Sequence, residues 1–396
     1  MKVLQIHVRL DSGSVGHIVR NLYHEIKNSG NECKIAYARG GIGNIPQEDT
    51  IKICSELEVK KHALLTRFFG HTAFYSHKST VEFLKKIDEY NPDVVHVHGV
   101  YGYYINMRDL FVYFKSKRTR VISTLHSCWD FTGHCCYFDF INCGQWKTCC
   151  EKCPQKSSYP RSSFLENTKK NFVLKKKLYD DLENCTIVTP SKWLANLVQQ
   201  SFLKKHSLKV IPNGIDTSVF KKEKINDLGY GIDLTKPIIL CIANVWDNRK
   251  GWNDVVELSK FLNHQKKCVQ LLVVGLNDSQ KKELDSTAIC ISRTTNIQEL
   301  ASIYNAATLL FNPTYEDNYP TVNIESIACG TPVVTYETGG SPEAVKRFDM
   351  GEVIRKKDFE KLLSLTERYF EKGKTEKNFD EELSFKRMAS EYLNIY

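Results

Sequence analysis

Short apolar runs alternate with amphipathic stretches along most of the 396-residue chain. Runs of aliphatic and β-branched residues predict strands at 2–8, 33–38, 93–97, 120–125, 185–189 and 208–211. A second series predicts strands at 237–244, 269–274, 287–291, 308–311 and 332–335. After the first strand, Val15, Ile18, Val19, Leu22, Tyr23 and Ile26 recur with the helical period, and Asn28-Ser29-Gly30 stops that helix. Strands separated by helices imply parallel sheets covered on both faces. The strands are too many for one sheet and the pattern restarts near residue 235, so the predicted class is α/β with two doubly wound domains. Residues 212–236, marked by Pro, Gly, Asn and charge, read as the linker. The final segment, Phe379–Tyr396, predicts a helix with Leu383, Phe385, Met388, Tyr392 and Leu393 inward.

Composition narrows the classes. Apolar residues at 42% and charged residues at 26% describe a globular chain and exclude disorder as its main state. No apolar run approaches the roughly 18 residues of a membrane span. The most apolar segments, Pro237–Val245 and Cys268–Leu276, have the length of buried strands. The first six residues read as a strand and not as an export leader, so a cytoplasmic protein is expected. Lysine plus arginine number 55 against 46 acidic residues, a net charge of +9 that favours anionic partners without choosing among them. No motif interleaves aromatic and basic residues as nucleic-acid recognition would, so nucleic acid is not an expected partner. Fourteen cysteines in a reducing compartment point to metal ligation before disulfides.

The strongest local signal is Pro313–Thr335, which runs strand, loop, helix, glycine stop, strand. Asp317 on the loop and Glu325 in the first turns of the helix lie eight positions apart. In an open α/β sheet that loop sits at the carboxyl ends of the strands, where ligands bind. Free N–H groups at a helix start can hold a phosphate, and a carboxylate one turn in can accept from sugar hydroxyls. Glu325 therefore suits a ribose, or serves as the dipole partner of its own helix. Gly339-Gly340 before Ser341-Pro342 gives a second helix start with a close backbone approach. Arg249 and Lys250 follow the strand ending near Asn244, placed either to neutralise a diphosphate or as a solvated basic turn. Gly13 and Gly16 bracket the start of the first helix, as in a phosphate-approach loop. His126 ends a strand at a carboxyl edge, and His96 and His98 alternate on another strand as structural or pocket-lining groups.

With the final segment, residues 126–163 break the alternation, and a basic stretch offers a surface. Residues 126–163 are rich in Cys, Gly, Pro and aromatics, and loops that long are usually functional. Within them Cys135, Cys143, Cys150 and Cys153 close on a Cys-x2-Cys pair, half of a structural zinc site. Reduced packed thiols and a disulfide are the other two readings, with Cys128, Cys136 and Cys149 as spare thiols. The basic and apolar stretch Lys169–Leu178, with Lys60, Lys61, Arg67, Phe68 and Phe69, suits either an anionic membrane surface or a helix packed on its own domain.

Taken in order, these elements resemble glycosyltransferase family 4, the retaining, nucleotide-sugar-dependent class with the GT-B fold. The resemblance is carried by Gly13–Gly16, Pro92–His98, His126, Thr189–Trp193, Ile211–Asp216, Arg249–Gly251, the Asp317–Glu325 loop and helix, and Gly339–Glu343. The stretch from Thr124 through Cys135, with Trp146 and Cys153, resembles a bacterial subgroup that builds capsule, exopolysaccharide and O-antigen units. The resemblance implies an acceptor-side domain at 1–212 with the helix 379–396 returning to it, and a donor domain at 213–378 across a cleft. It places Lys250 on the donor diphosphate, with Arg249 nearby, and Glu325 on the ribose. It places Asp317, with Glu316 adjacent and the backbone of Asn318 and Tyr319, on the transferred sugar. His126 would contact that sugar near the reacting carbon, and Gly13 and Gly16 would shape the phosphate side. Three positions depart from the family pattern: Asp317 where glutamate is usual, Asn244 where an arginine commonly stands, and Ser127 where aspartate often follows the histidine.

The implied reaction is hexosyl transfer from a nucleotide-diphosphate sugar, UDP favoured over GDP, to a glycan or polyprenyl-linked acceptor at the inner membrane face. No protein nucleophile and no catalytic metal are expected, and the only metal expected is structural zinc. Two other classes fit less: another GT-B enzyme such as a nucleotide-sugar epimerase, for which no acid/base set is assignable, and a non-catalytic nucleotide- or anion-binding module.

Overall fold

A computed structural model describes residues 1–265 and 268–396. The chain divides into two compact units, Met1–Pro212 with Met388–Tyr396, and Asn213–Arg387. Each is built on one parallel sheet.

In the first unit the strands are β1 (Lys2–Ile6), β2 (Glu32–Tyr37), β3 (Thr50–Lys52), β4 (Val94–Val97), β5 (Arg120–Thr124), β6 (Cys185–Thr189) and β7 (Ser207–Val210). They lie in the order β3-β2-β1-β4-β5-β6-β7, and every pair is parallel. In the second unit β8 (Ile238–Ile242), β9 (Gln270–Val274), β10 (Ile289–Ile291), β11 (Leu309–Asn312), β12 (Val333–Tyr336) and β13 (Gly351–Ile354) lie in the order β10-β9-β8-β11-β12-β13. In both sheets the order reverses beside the first strand of the unit, which opens a crevice at the carboxyl ends of the strands.

The sequence dictates this packing in a direct way. Successive strand residues face opposite sides, and both sides are covered. Leu240, Leu272, Val274, Leu310 and Val333 belong to one core of the second unit. Ile239, Cys241, Leu271, Val273, Leu309, Phe311 and Val334 belong to the other. Such strands must be apolar at every position, which is why they show as unbroken runs.

Three regions differ from expectation. Edge strands β3 and β13 carry no apolar run, since an edge strand is covered less than its neighbours. The stretch 212–236 is not a free linker: Ile215 and Phe220 are buried in the second unit's core, and Ile215 bridges Ser384. The C-terminal segment is two helices, Asp380–Leu383 and Phe385–Leu393, parted at Ser384. Its first part buries Phe379 and Leu383 in the second unit. Its last part, with Met388, Tyr392 and Tyr396 buried, belongs to the first.

Candidate functional site

In the second unit three loops leave the carboxyl ends of β8, β11 and β12 and bind one another through their backbones. Gly251 has φ +80°, and a side chain there would meet the Pro313 carbonyl at 2.2 Å. This close approach lets Tyr315 N–H donate to the Arg249 carbonyl at 2.7 Å and Arg249 Nη1 donate to the Glu316 carbonyl at 2.7 Å. Arg249 therefore fastens the acidic loop. Gly339, at φ +57°, approaches that loop from the other side, where a Cβ would lie 2.3 Å from the Asp317 carbonyl. Gly340 N–H donates to the same carbonyl at 2.9 Å.

The loop so held carries Glu316–Tyr319. Glu316 is fully buried and Asp317 is 9% exposed. Lys250 Nζ donates to the Asp317 carboxylate, and Asn318 N–H donates to its other oxygen at 2.9 Å. Burial works to raise the Asp317 carboxyl, but the charges of Lys250 and Arg249 and these hydrogen bonds outweigh it and hold the group below the usual carboxylate range. Tyr319 is buried, its carbonyl accepting from Asn213 Nδ2 at 3.3 Å.

Glu325 lies on the helix Thr321–Ala328 and accepts from Tyr304 Oη at 2.8 Å. Burial pushes its carboxyl up, opposed by hydrogen bonds from Tyr304 and Thr321. The start of this helix and that of Ser341–Phe348 are tied together by a buried polar chain. Asn312 Nδ2 donates to Asn323 Oδ1 at 2.8 Å, Asn323 Nδ2 to the Ser341 carbonyl at 2.9 Å, and Ser341 Oγ meets Thr335 Oγ1 at 2.7 Å. Two helix N-termini, a lysine and two carboxylates thus share one sheet edge. Asn213, Tyr304 and Asn323, to none of which the sequence assigned a role, hold them there through partners 11 to 106 residues away.

In the first unit His126 follows β5 and stacks on His98, with ring centroids 5.5 Å apart and planes at 16°. His126 Nε2 lies 3.2 Å from His98 Nδ1. His98 Nε2 reaches Gln5 Oε1 at 3.1 Å. His96 faces the other way, to Tyr396 Oη at 2.6 Å and Thr124 Oγ1 at 2.7 Å. Burial lowers the pKa of all of them, His7 to about 4 and His126 to about 3. Ser127, where the family often has aspartate, donates to Tyr101 Oη at 3.2 Å. Gly13, at φ +79°, opens the helix Ser14–Asn28 with free space beside it. Gly16 is a packing glycine: a Cβ there would press on the Arg9 carbonyl at 2.9 Å.

The cysteine loop brings the four spaced thiols to one place. Cys135, Cys143, Cys150 and Cys153 line one small cavity with His134 and Trp146, and the Cys135 thiol pairs with Cys153. Among the described residues no group of three or more His, Cys, Asp or Glu is placed to hold a metal ion. No disulfide joins any of the fourteen cysteines. Rings and a buried lysine pack the loop. Phe138 stacks on Trp146 at 4.8 Å. Lys175 Nζ sits 3.5 Å over the Trp129 ring and donates to the Trp129 carbonyl at 2.6 Å. The helix Thr168–Asp180 accordingly packs Phe172, Lys175 and Leu178 into its own unit. Val173 of this helix is exposed, as are Phe68, Phe69, Phe164 and Leu165, with Phe68 stacked on Phe164 at 4.8 Å. Among the described residues no helix is long and apolar enough to cross a membrane.

Residues 15–219 match the profile of Glycosyltransferase Family 4, and residues 236–371 match that of Glycosyl transferases group 1. The chain belongs to glycosyltransferase family 4. It is a glycosyltransferase. It is 23% identical over 430 residues to WcaC of Escherichia coli (strain K12), a glycosyl transferase named for colanic acid biosynthesis, covering 100% of this chain and 99% of that one. The fold is shared with sucrose-phosphate synthase from Thermosynechococcus elongatus, at TM-score 0.67 and 16% identity over 100% of this chain and 98% of that one. It is shared also with HepE of Anabaena in complex with UDP and glucose, at TM-score 0.60 and 14% identity over 100% and 94%. This is the GT-B fold, with two Rossmann-like parallel-sheet units.

Proposed function

We propose that this glycosyltransferase moves a sugar from a nucleotide-diphosphate donor to a lipid-linked glycan acceptor, with retention, in the assembly of a bacterial surface polysaccharide. The observation that carries the donor reading is the pairing of Lys250 with Asp317 at the same sheet edge as Glu325. Lys250 meets the donor diphosphate, and Asp317, freed from it, meets the hydroxyls of the transferred sugar. Glu316, fully buried, keeps the loop in place. Glu325, seated by Tyr304, meets the ribose. In the first unit His126 meets the sugar near its reacting carbon.

In a front-face transfer the leaving diphosphate oxygen helps take the proton of the incoming hydroxyl, and no protein nucleophile is required. The protein's part is to stabilise charge growing on the diphosphate. A fixed ammonium and two helix N-termini are suited to that task. The likeness to WcaC favours a polysaccharide product. The likeness to HepE, solved with UDP and glucose, favours UDP over GDP. The exposed rings Phe68, Phe69 and Phe164 beside Lys60, Lys61 and Arg67 favour an acceptor presented at an anionic membrane surface.

The test is a thermal-shift and slow-hydrolysis screen of the pure protein against UDP- and GDP-sugars, with Lys250→Ala alongside. Stabilisation by one nucleotide family that the variant loses supports the donor site. No response to any donor, with or without a polyprenyl-linked acceptor present, overturns it.

A further inference from the structure

We propose that Gln5, buried in the middle of the first sheet, fixes the tautomer of His126 by way of His98, so that His126 turns a hydrogen-bond acceptor, Nδ1, outward. Gln5 and His98 are positioning residues in this scheme. Its bearing on catalysis rests on the reading that His126 meets the transferred sugar; the hydrogen-bond relay itself does not.

The argument follows donors and acceptors from a fixed end. The Val19 backbone carbonyl can only accept, and the Gln5 amide faces it with Nε2 at 3.2 Å. The opposite amide orientation would set two oxygens against each other. Gln5 Oε1 is thereby directed at His98 Nε2, 3.1 Å away. An amide oxygen only accepts, so His98 Nε2 carries the hydrogen. A neutral imidazole has one N–H, which leaves His98 Nδ1 as an acceptor. Its partner at 3.2 Å is His126 Nε2, which must then be the donor. His126, with its hydrogen on Nε2, has its lone pair on Nδ1.

The surroundings keep both rings neutral, as the relay requires. Gln5 is fully buried and His98 nearly so. His98 is enclosed by the His96 ring at 3.8 Å, and His7 donates through Nδ1 to the His98 carbonyl at 2.9 Å. Burial, the neighbouring histidines and Arg39, which acts on His7, all oppose a further positive charge. Among the described residues no protein group hydrogen-bonds His126 Nδ1, and the ring is half-buried, so that atom is available to accept from a hydroxyl. Sequence position alone gives no hint of this: β1 supplies Gln5, the end of β4 supplies His98, and the loop after β5 supplies His126, on three adjacent parallel strands.

The test uses full-length protein with ring-15N histidine and long-range 1H–15N correlation spectra at pH 7. The wild type is expected to show a protonated Nε2 and an unprotonated Nδ1 for His126; the opposite assignment overturns the relay without any variant being needed. Gln5→Leu removes the acceptor, so the hydrogens of His98 and His126 are expected to redistribute and the two His126 nitrogen signals to move towards each other or exchange places. In Gln5→Glu the buried carboxyl is held neutral, its hydroxyl donating to the Val19 carbonyl and its carbonyl oxygen accepting from His98 as the amide does, and the wild-type pattern is expected to stay. Unchanged His126 signals in a folded Gln5→Leu overturn the relay. Turnover is expected to fall about tenfold in Gln5→Leu, one hydrogen bond's worth, and to return in Gln5→Glu. His126→Ala separates the two claims: near wild-type turnover there overturns the sugar-contact reading, while the spectra still decide the relay.

Discussion

Lys250 and Asp317 lie 67 residues apart in sequence, and the ammonium of one is bound to the carboxylate of the other. Their side chains are 22% and 12% exposed, so neither charge is fully solvated. On the proposed donor reading, a diphosphate that takes Lys250 leaves Asp317 free to accept from the hydroxyls of the sugar, and the pair couples recognition of the two groups. Lys250→Ala should cut turnover about 100–1,000-fold, the cost of one preorganised contact to the developing charge. Initial rates with the best donor, beside a circular-dichroism check of the fold, measure this. Activity within about threefold of wild type would remove Lys250 from the role.

The same pair makes a pH prediction. The folded Asp317 carboxyl lies below its unfolded value, so the stability it lends is present above about pH 4 and is lost as the pH falls through the folded value. In Lys250→Ala the largest charge holding it down is gone and burial dominates. The carboxyl should then rise, and the variant should lose stability at neutral pH as well. Urea melts of both proteins at pH 7 and pH 4 test the sign. A variant as stable as wild type at pH 7 would show that Arg249 alone suffices.

Glu325→Gln keeps the volume of the side chain and an oxygen for Tyr304 but removes the charge. If the carboxylate holds ribose hydroxyls, the donor KM should rise roughly 10–150-fold, the worth of about 1.5–3 kcal/mol for hydrogen bonds to a charged group. The kcat should move less, because the ribose contact exists before and during transfer. An unchanged KM would return Glu325 to the role of dipole partner for its helix.

How much of this was legible in the sequence depends on whether the signal was local. Parallel strands covered on both faces need apolar residues at every position, so Ile238–Ile242 and Gln270–Val274 stood out. The edge strands Thr50–Lys52 and Gly351–Ile354 had no such run. The carboxylate loop was legible because its glycines, acids and helix start are contiguous. The arginine's task was not, since Arg249 binds a backbone carbonyl, and any residue at 316 provides one. Lys175 misled for a related reason: in a basic stretch it looks solvated, yet it is buried against Trp129. The polar chain through Asn312, Asn323 and Ser341 and the relay from Gln5 to His126 join residues brought together only by the sheets.

Gly339→Ala tests the seat of the acidic loop. A methyl group there would stand 2.3 Å from the Asp317 carbonyl, and the residue's φ of +57° disfavours any side chain. The cost should be about 1–3 kcal/mol, seen as a melting temperature lower by roughly 2–10 °C. The loop must also shift, and a displacement of about 1 Å can cost 100-fold in rate. Calorimetry and rate measurements should therefore fall together. A variant that is destabilised but fully active would mean that the position of Asp317 is not critical.

The buried histidines of the first unit should make the protein acid-sensitive at a pH where carboxylates are still ionised. His7 is held at about 4 and His126 at about 3, by burial first. Unfolded, each titrates near 6.5. Below that value the unfolded chain binds more protons than the folded one, so stability falls as the pH drops from about 6.5 towards 4. At pH 5 the loss should be about 1–2 kcal/mol for each of these two rings, the lower figure allowing for the solvent that part of each ring retains. His96 and His98, also lowered by burial, add to it in the same direction. Denaturant melts of the whole chain at pH 7 and pH 5, followed by a probe in each unit, measure the effect. The first unit should weaken by several kcal/mol at pH 5 while the second, whose one described histidine is His264 near a helix end, changes little. Equal stability of the first unit at both pH values would mean that its histidines are charged in the folded protein, and a charged His98 could not accept the hydrogen of His126.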